Sequence, residues 1–134
     1  MSPDLISYIW SRAGHRCEYC HLPSAGYPLP LQMDHIIARQ HGGETDANNL
    51  ALACVHCNRH KGPNIGGIDP ATRSLIRLFH PRRDVWQDHF EWRGVELRGR
   101  TPVGRVTIEV LAINDPDIRA VRRQLMNEHV YPLE

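Results

Sequence analysis

The four cysteines of this 134-residue chain form two C-x-x-C pairs, Cys17/Cys20 and Cys54/Cys57. Two thiolates two residues apart can bind one ion from a single turn, and two such turns complete the tetrahedral coordination of a structural Zn²⁺. Between the pairs lies the dipeptide Asp34-His35, whose carboxylate and imidazole suit metal binding and general base catalysis. The sequence therefore predicts a structural zinc site and a separate centre for chemistry.

Other roles for the cysteines explain the sequence less well. The run from Cys17 to His21 also reads C-x-x-C-H, the pattern of haem attachment, but haem would leave the second pair unexplained. We read no export signal at the N-terminus, so two disulfides are not expected either. A dithiol redox site would need a thioredoxin-like strand–helix–strand context. The 33 residues between the pairs exceed zinc-ribbon spacing, so a substantial unit is inserted there.

Cap and turn signals indicate how the chain positions these residues. They predict a helix at residues 2–14, strands at 31–37 and 50–53, and a helix at 55–62. Asp34 and His35 lie near the middle of the first strand. Because neighbours on a strand point to opposite faces, a bulge or local twist is expected if both are to reach one ion.

The C-terminal half is predicted as a mixed, mainly helical extension. A short strand is expected at residues 95–97, and Asp115-Pro116 begins a last helix that runs to about Met126. Thr101-Pro102 begins another helix, although its β-branched residues leave a strand as an alternative. Three aromatic residues could stack on nucleic-acid bases, but core packing is the simpler interpretation: Trp86, Phe90 and Trp92.

Length and composition indicate one soluble domain, and the predicted elements make it an α+β domain in three parts. We expect an N-terminal helix at 1–14, a metal-binding core at 15–63, and a basic connector with its extension at 64–134. No apolar run approaches the length of a membrane span, and a cytoplasmic location is expected. Residues 54–105 carry nine Arg and one Lys against five acids, whereas both flanking segments are acidic. Arg suits phosphate oxygens, although an Arg-biased composition alone would also give this block.

The spacing of the central motifs resembles that of the HNH nucleases, the ββα-metal or His-Me finger family. The matching text begins with the first cysteine pair and continues through Met33-Asp34-His35-Ile36-Ile37, Gly42-Gly43, Asn49-Leu50 and Cys54-x-x-Cys57-Asn58-Arg59-His60-Lys61-Gly62. Fourteen residues separate His35 from Asn49, and nine separate Asn49 from Asn58. The segments after this core are similar to the tails of small stand-alone bacterial members. The resemblance implies a ββα-metal unit stapled by a Cys₄ zinc site.

The resemblance also implies a role for each site residue. Asp34 and Asn58 would bind a catalytic divalent ion, Mg²⁺ or Mn²⁺, and His35 would be the general base. Asn49 would brace the loop and orient His35 through a hydrogen bond. His60 is an alternative ligand and His41 a weaker candidate for phosphate, while His56 is expected at the surface. The predicted phosphate contacts are Arg59, Lys61, Arg82 and Arg83.

The resemblance implies a divalent-metal-dependent endonuclease that leaves a 5′-phosphate, and we expect it to nick DNA with low sequence specificity. Two alternatives stay open: a non-catalytic zinc-ribbon module that binds nucleic acid, and a metal-dependent RNase. The sequence leaves undecided whether the protein is a monomer or a homodimer, which divalent ion it prefers, and which biological target it acts on.

Overall fold

The N-terminal helix, α1 (Pro3–Arg12), begins where the sequence predicts it in the computed structural model, which describes residues 1–131. The Ser2 hydroxyl accepts a hydrogen bond from the Leu5 amide at 3.1 Å, which satisfies one free donor of the first turn. At the other end, the Arg12 guanidinium donates to the carbonyls of Ala47 and Leu50 at 2.8 and 2.7 Å. The helix is thereby fixed to the loop and strand that follow.

The central unit is an antiparallel strand pair followed by a helix. Strand β1 (Gln32–His35) pairs with β2 (Leu50–Ala53), so that Gln32 lies opposite Ala53 and His35 opposite Leu50. All four β2 side chains are buried, which explains their small, wholly apolar sequence. Helix α2 (Val55–Lys61) follows at once. This order confirms the predicted strand, loop, strand and helix.

The extension contains two hairpins between its helices. It comprises β3 (Gly66–Ile68), β4 (Leu75–Arg77), α3 (Trp86–His89), β5 (Phe90–Arg93), β6 (Glu96–Gly99), α4 (Pro102–Val110) and α5 (Pro116–Asn127). Strands β3 and β4 pair antiparallel, as do β5 and β6. The α+β fold is confirmed, and residues after Thr101 form a helix rather than the alternative strand. Of the four extension strands, only the one near residues 95–97 was predicted; β3 and β4, with three residues each, are too short to show an alternating pattern.

An aromatic cluster joins the extension to the first cysteine turn. The Trp86 ring stacks on His21 with centroids 4.0 Å apart, and its indole N–H donates to the Tyr19 carbonyl at 2.9 Å. Phe90 and Trp92 pack beside Trp86, at 5.1 and 6.0 Å between centroids. Core packing, the simpler interpretation, is therefore confirmed for these aromatic residues.

A buried arginine fixes the last helix to the second hairpin. Arg122 is fully buried, and its guanidinium donates to the carbonyls of Val95 and Ile113 and to the Asn114 side chain, at 2.9, 2.6 and 3.0 Å. The Trp92 ring lies 5.6 Å from this cation. Three hydrogen bonds and an aromatic face thus compensate for the lost hydration. None of the helices in residues 1–131 has the length and apolar character needed to cross a bilayer.

Candidate active site

The four cysteines lie in one buried cluster, as the C-x-x-C pairs predict. Their sulfur atoms are within 4.8 Å of one another, and Cys20 Sγ is 3.8 Å from Cys54 Sγ. The edge of a tetrahedron with zinc–sulfur bonds of ~2.3 Å is about 3.8 Å. In each pair the backbone amide of the second cysteine points at the sulfur of the first: Cys20 N–H at Cys17, 3.5 Å, and Cys57 N–H at Cys54, 3.4 Å. The geometry fits a structural Zn²⁺.

The electrostatics of the cluster also call for a cation. Burial opposes a charge on Cys17, but hydrogen bonds from the other thiols outweigh it and lower its pKa well below the usual range. Hydrogen bonds with the other thiols, together with burial, raise the pKa of Cys20 and Cys57 well above it. The thiol forms of Cys20 and Cys57 are therefore favoured in the protein alone, and the charge of a bound metal ion would stabilise them as thiolate ligands.

The loop between β1 and β2 is closed by Asn49. The side-chain oxygen of Asn49 accepts from the Ile37 amide at 2.9 Å, and its NH₂ group donates to the carbonyls of Ile37 and Glu44 at 3.0 and 2.8 Å. The backbone of Gly43 lies so close to that of Ile37 that an added Cβ would be 1.7 Å from the Ile37 carbonyl oxygen. Asn49 braces the loop as expected, but its side chain orients His35 only indirectly, because its amide bonds the Ile37 and Glu44 backbone while the His35 ring bonds Thr45.

Thr45, a loop residue that sequence reasoning missed, holds the imidazole of His35. Nε2 of His35 lies 2.8 Å from the Thr45 hydroxyl oxygen. When Nε2 carries the ring proton and donates to Thr45, the Nδ1 lone pair is available as a base. The sequence offered little signal for this role, because Thr45 stands in an ordinary polar loop.

Asp34 lies inside the protein with a cation beside it. The side chain is 3 % exposed, and its two oxygens accept from the Tyr19 hydroxyl at 2.6 Å and from Lys61 Nζ at 3.1 Å. Burial raises the pKa of Asp34 above its ordinary value, although Lys61 and Tyr19 oppose this rise. Lys61, 1 % exposed, also donates to the His35 carbonyl at 3.0 Å. The prediction of Lys61 as a phosphate contact is therefore corrected, because its ammonium is committed to Asp34.

Asp34, His35 and Asn58 nevertheless face a common depression of about 400 Å³. The β1–β2 register is unbroken, so of the expected bulge or local twist, the bulge is absent from this strand pair. His35 ends its strand and can reach the depression from there. The Asn58 NH₂ group donates to the Gln32 side chain at 2.8 Å, which leaves the amide oxygen as the group that can bind an ion. The N-terminus of α2 is capped by the Cys54 side chain.

Among the other basic residues, two arginines line the depression, whereas several others form ion pairs within the protein. Arg59, predicted as a phosphate contact, and Arg39, which was missed, both line it and are exposed. Arg82 instead forms an ion pair with Glu18, so its predicted phosphate contact is also corrected. Arg83 is exposed and lines a separate pocket beside Lys61. Within the basic block, four arginines form ion pairs in the described part of the chain: Arg77, Arg82, Arg93 and Arg105.

The remaining candidate histidines lie elsewhere. His41 is exposed and lines a different depression, beside β3 and β4. His60 packs against His56 with ring centroids 4.2 Å apart, away from Asn58. His56 is 8 % exposed and its Nε2 lies 2.7 Å from the Ala112 carbonyl, so its predicted surface position is wrong.

Comparison with known protein families agrees with this geometry. Residues 17–64 match the family model described as HNH endonuclease, a span that begins at the first cysteine and ends just past α2. The chain has no match among curated proteins. The buried Cys₄ cluster, the strand pair and the helix all fall inside the matched span. The part of the chain that matches an HNH endonuclease domain is therefore residues 17–64.

Proposed function

We propose that the protein is a divalent-metal-dependent endonuclease that hydrolyses phosphodiester bonds of DNA. The observation that carries the proposal is the common depression faced by Asp34, His35 and Asn58 within the HNH domain. A base and two oxygen ligands on one open surface are what phosphodiester hydrolysis by an activated water requires. A single HNH unit acts on one strand, so nicks with a 5′-phosphate are the expected product.

His35 acts as the general base in this proposal. With the Nε2 proton directed at Thr45, Nδ1 can take a proton from a water molecule in the depression. The hydrogen bonds of Asn49 and the tight packing of Gly43 on the Ile37 backbone fix the loop that carries Thr45. Such a positioned base contributes ~10²–10⁴ in rate.

The donor set of the depression fits Mg²⁺ or Mn²⁺. Asp34 would offer a carboxylate oxygen and Asn58 an amide oxygen, both hard ligands, with water completing the shell. Each Asp34 oxygen accepts one hydrogen bond from Tyr19 or Lys61, so further lone pairs stay free. A divalent ion there would supply charge compensation on the phosphate and the leaving oxygen.

Arg39 and Arg59 are the proposed contacts to the substrate backbone. Both are exposed at the rim of the depression, and neither forms an ion pair within residues 1–131. Phosphate contacts carry little sequence information, so we expect low sequence specificity and affinity that falls steeply with salt.

One observation favours the alternative of a non-catalytic binding module. The Asp34 carboxylate is buried and paired, which is also how a structural polar cluster is built. In that case the zinc unit would bind nucleic acid without cutting it. A metal-dependent RNase would use the same residues on a different substrate.

Nicking of supercoiled plasmid by the purified, zinc-loaded protein tests the proposal. With Mg²⁺ or Mn²⁺, open-circular DNA should accumulate, and His35→Ala should lose at least 100-fold of the rate, in line with the contribution of a general base. His41→Ala, an exposed histidine outside the depression, is the matched control and should keep the parent rate.

The other outcomes separate the alternatives. Equal nicking by the parent and His35→Ala would contradict the proposed base. Cleavage of RNA but not DNA would favour the RNase. Binding of labelled DNA without cleavage under any divalent ion would favour the binding module.

A further inference from the structure

A second group of metal-binding side chains lies outside the depression and outside the cysteine cluster. His56 and His60 project from successive turns of α2, and Asp115 stands at the turn before α5. Each offers a ligand atom, and these atoms lie within 4.8 Å of one another. The group joins the HNH domain to the extension.

Hydrogen bonds determine which nitrogen of each histidine is free. Nε2 of His56 lies 2.7 Å from the Ala112 carbonyl, and Nδ1 of His60 lies 2.8 Å from the His56 carbonyl. A carbonyl oxygen only accepts, so these two nitrogens carry the protons. The opposite nitrogen of each ring keeps its lone pair. Histidine ligands of metal ions commonly donate their other N–H to a backbone carbonyl in this way, which holds the ring in place.

Asp115 occupies a capping position without capping. It is the residue before the first turn of α5, where an aspartate usually accepts a hydrogen bond from a free backbone amide, yet its side chain makes no such bond. Within residues 1–131 its carboxylate also has no ion pair. The carboxylate instead lies beside two imidazoles, each of which has one unprotonated nitrogen.

We propose that His56, His60 and Asp115 form a second zinc-binding site, separate from the cysteines and from the proposed catalytic ion. Two imidazole nitrogens and one carboxylate oxygen are a common donor set for Zn²⁺, whereas Mg²⁺ prefers oxygen ligands alone. His60 and Asp115 are partly exposed, so the site is reachable from solvent and a water molecule completes the coordination.

The site would act as a clamp between two parts of the chain. His56 and His60 belong to the helix that also carries Cys57 and Asn58, whereas Asp115 belongs to the extension. One ion held by both would resist their separation. The clamp is independent of nuclease activity and can be tested without it.

Cobalt titration of the untagged protein tests this site. The protein is first loaded with one zinc per chain, and excess Mg²⁺ occupies the oxygen-ligand site. Added Co²⁺ should bind at one equivalent and give visible d–d absorption without the near-ultraviolet thiolate-to-cobalt bands that exchange into the Cys₄ cluster would produce. Asp115→Asn and His60→Gln should each weaken this binding at least tenfold.

Asp117→Asn is the matched control, because Asp117 lies in the first turn of α5, close to Asp115 along the chain, but outside the group. It should bind Co²⁺ as the parent does. Near-ultraviolet circular dichroism verifies that each variant is folded. The site is overturned if the parent shows no saturable binding apart from thiolate bands. It is also overturned if either Asp115→Asn or His60→Gln binds as tightly as the parent.

Discussion

Asp34, a candidate metal ligand, is buried and depends on neighbouring side chains to stabilise its carboxylate. A carboxylate with 3 % exposure needs hydrogen-bond partners. Lys61 donates to one of its oxygens and Tyr19 donates to the other. The sequence placed Asp34 correctly on a strand beside His35. It did not indicate the partners, because Tyr19 and Lys61 are 15 and 27 residues away along the chain.

The ion pair between Asp34 and Lys61 should contribute strongly to stability. Lys61→Met keeps most of the apolar stem but leaves the buried carboxylate without its cation, and breaking such a pair costs about 3–5 kcal/mol. Urea unfolding of the zinc-loaded protein measures the free energy of unfolding. Arg59→Met, an exposed change on the same helix, should alter it by no more than about 0.5 kcal/mol. Equal stability of the two variants would contradict the importance of the pair.

Thr45 should influence catalysis without influencing stability. Thr45→Val removes the hydroxyl that holds His35 Nε2, and a single hydrogen bond is worth about 0.5–1.5 kcal/mol, so kcat for nicking should fall about two- to tenfold. The melting temperature should not change, because Thr45 is exposed. Thr45→Ser, which retains the hydroxyl, should keep near-parent kcat. A parent-like kcat in Thr45→Val would show that the hydroxyl does not orient the base.

At the scale of elements, helix α4 illustrates a conflict between local propensity and packing. Gly104 stands inside this helix, where alanine would normally be favoured by about 1 kcal/mol. An added Cβ would, however, lie 2.1 Å from the His89 carbonyl oxygen and 3.2 Å from Gly99 Cα. The glycine allows α4 to pack directly on the backbone around the second hairpin.

Gly104→Ala should therefore destabilise the protein rather than stabilise it. Overpacking of this kind costs about 1–3 kcal/mol, which outweighs the gain in helix propensity. Thermal unfolding monitored by circular dichroism measures the change. Glu109→Ala, at an exposed position of the same helix, is the control and should be neutral or slightly stabilising. A stabilised Gly104→Ala variant would mean that the backbone contact relaxes easily.

The elements that sequence reasoning predicted well are those with strong local signals. Ser2-Pro3 and Gly14 delimit α1, and the cysteine spacing located both metal turns and α2. Strands β3 and β4 were missed because three residues carry no recognisable period. Strand β5 was missed because its aromatic residues were interpreted only as core packing. Their pairing depends on contacts with α4 and on the aromatic cluster, which appear only when distant segments meet.

At the scale of the whole molecule, the cysteine cluster and the extension depend on each other. Trp86 donates to the Tyr19 carbonyl, Tyr131 donates to the Cys20 carbonyl, and Arg82 pairs with Glu18. All three contacts end on the first cysteine turn. The organisation of residues 1–134 as a single domain remains a prediction, and these contacts support it.

Removal of zinc should therefore abolish cooperative unfolding of the entire chain. Binding of a structural zinc is worth ~10–16 kcal/mol, comparable to the stability of a typical domain, ~5–15 kcal/mol. Chelation should eliminate the melting transition in circular dichroism and shift tryptophan emission to the red, because Trp86 loses His21 and Tyr19. Addition of Zn²⁺ should restore both signals. A metal-free protein that still melts cooperatively would show that the extension folds without the cysteine turns.

Helix α2 has only seven residues, yet most of them already have a partner. Cys57 belongs to the thiol cluster, Asn58 faces the depression, Lys61 reaches Asp34, and His56 reaches Ala112. A small sideways shift of α2 would therefore disturb all of these contacts at once. Substitutions within this helix should therefore be tolerated poorly, whereas the surrounding loops can vary at less cost to the structure.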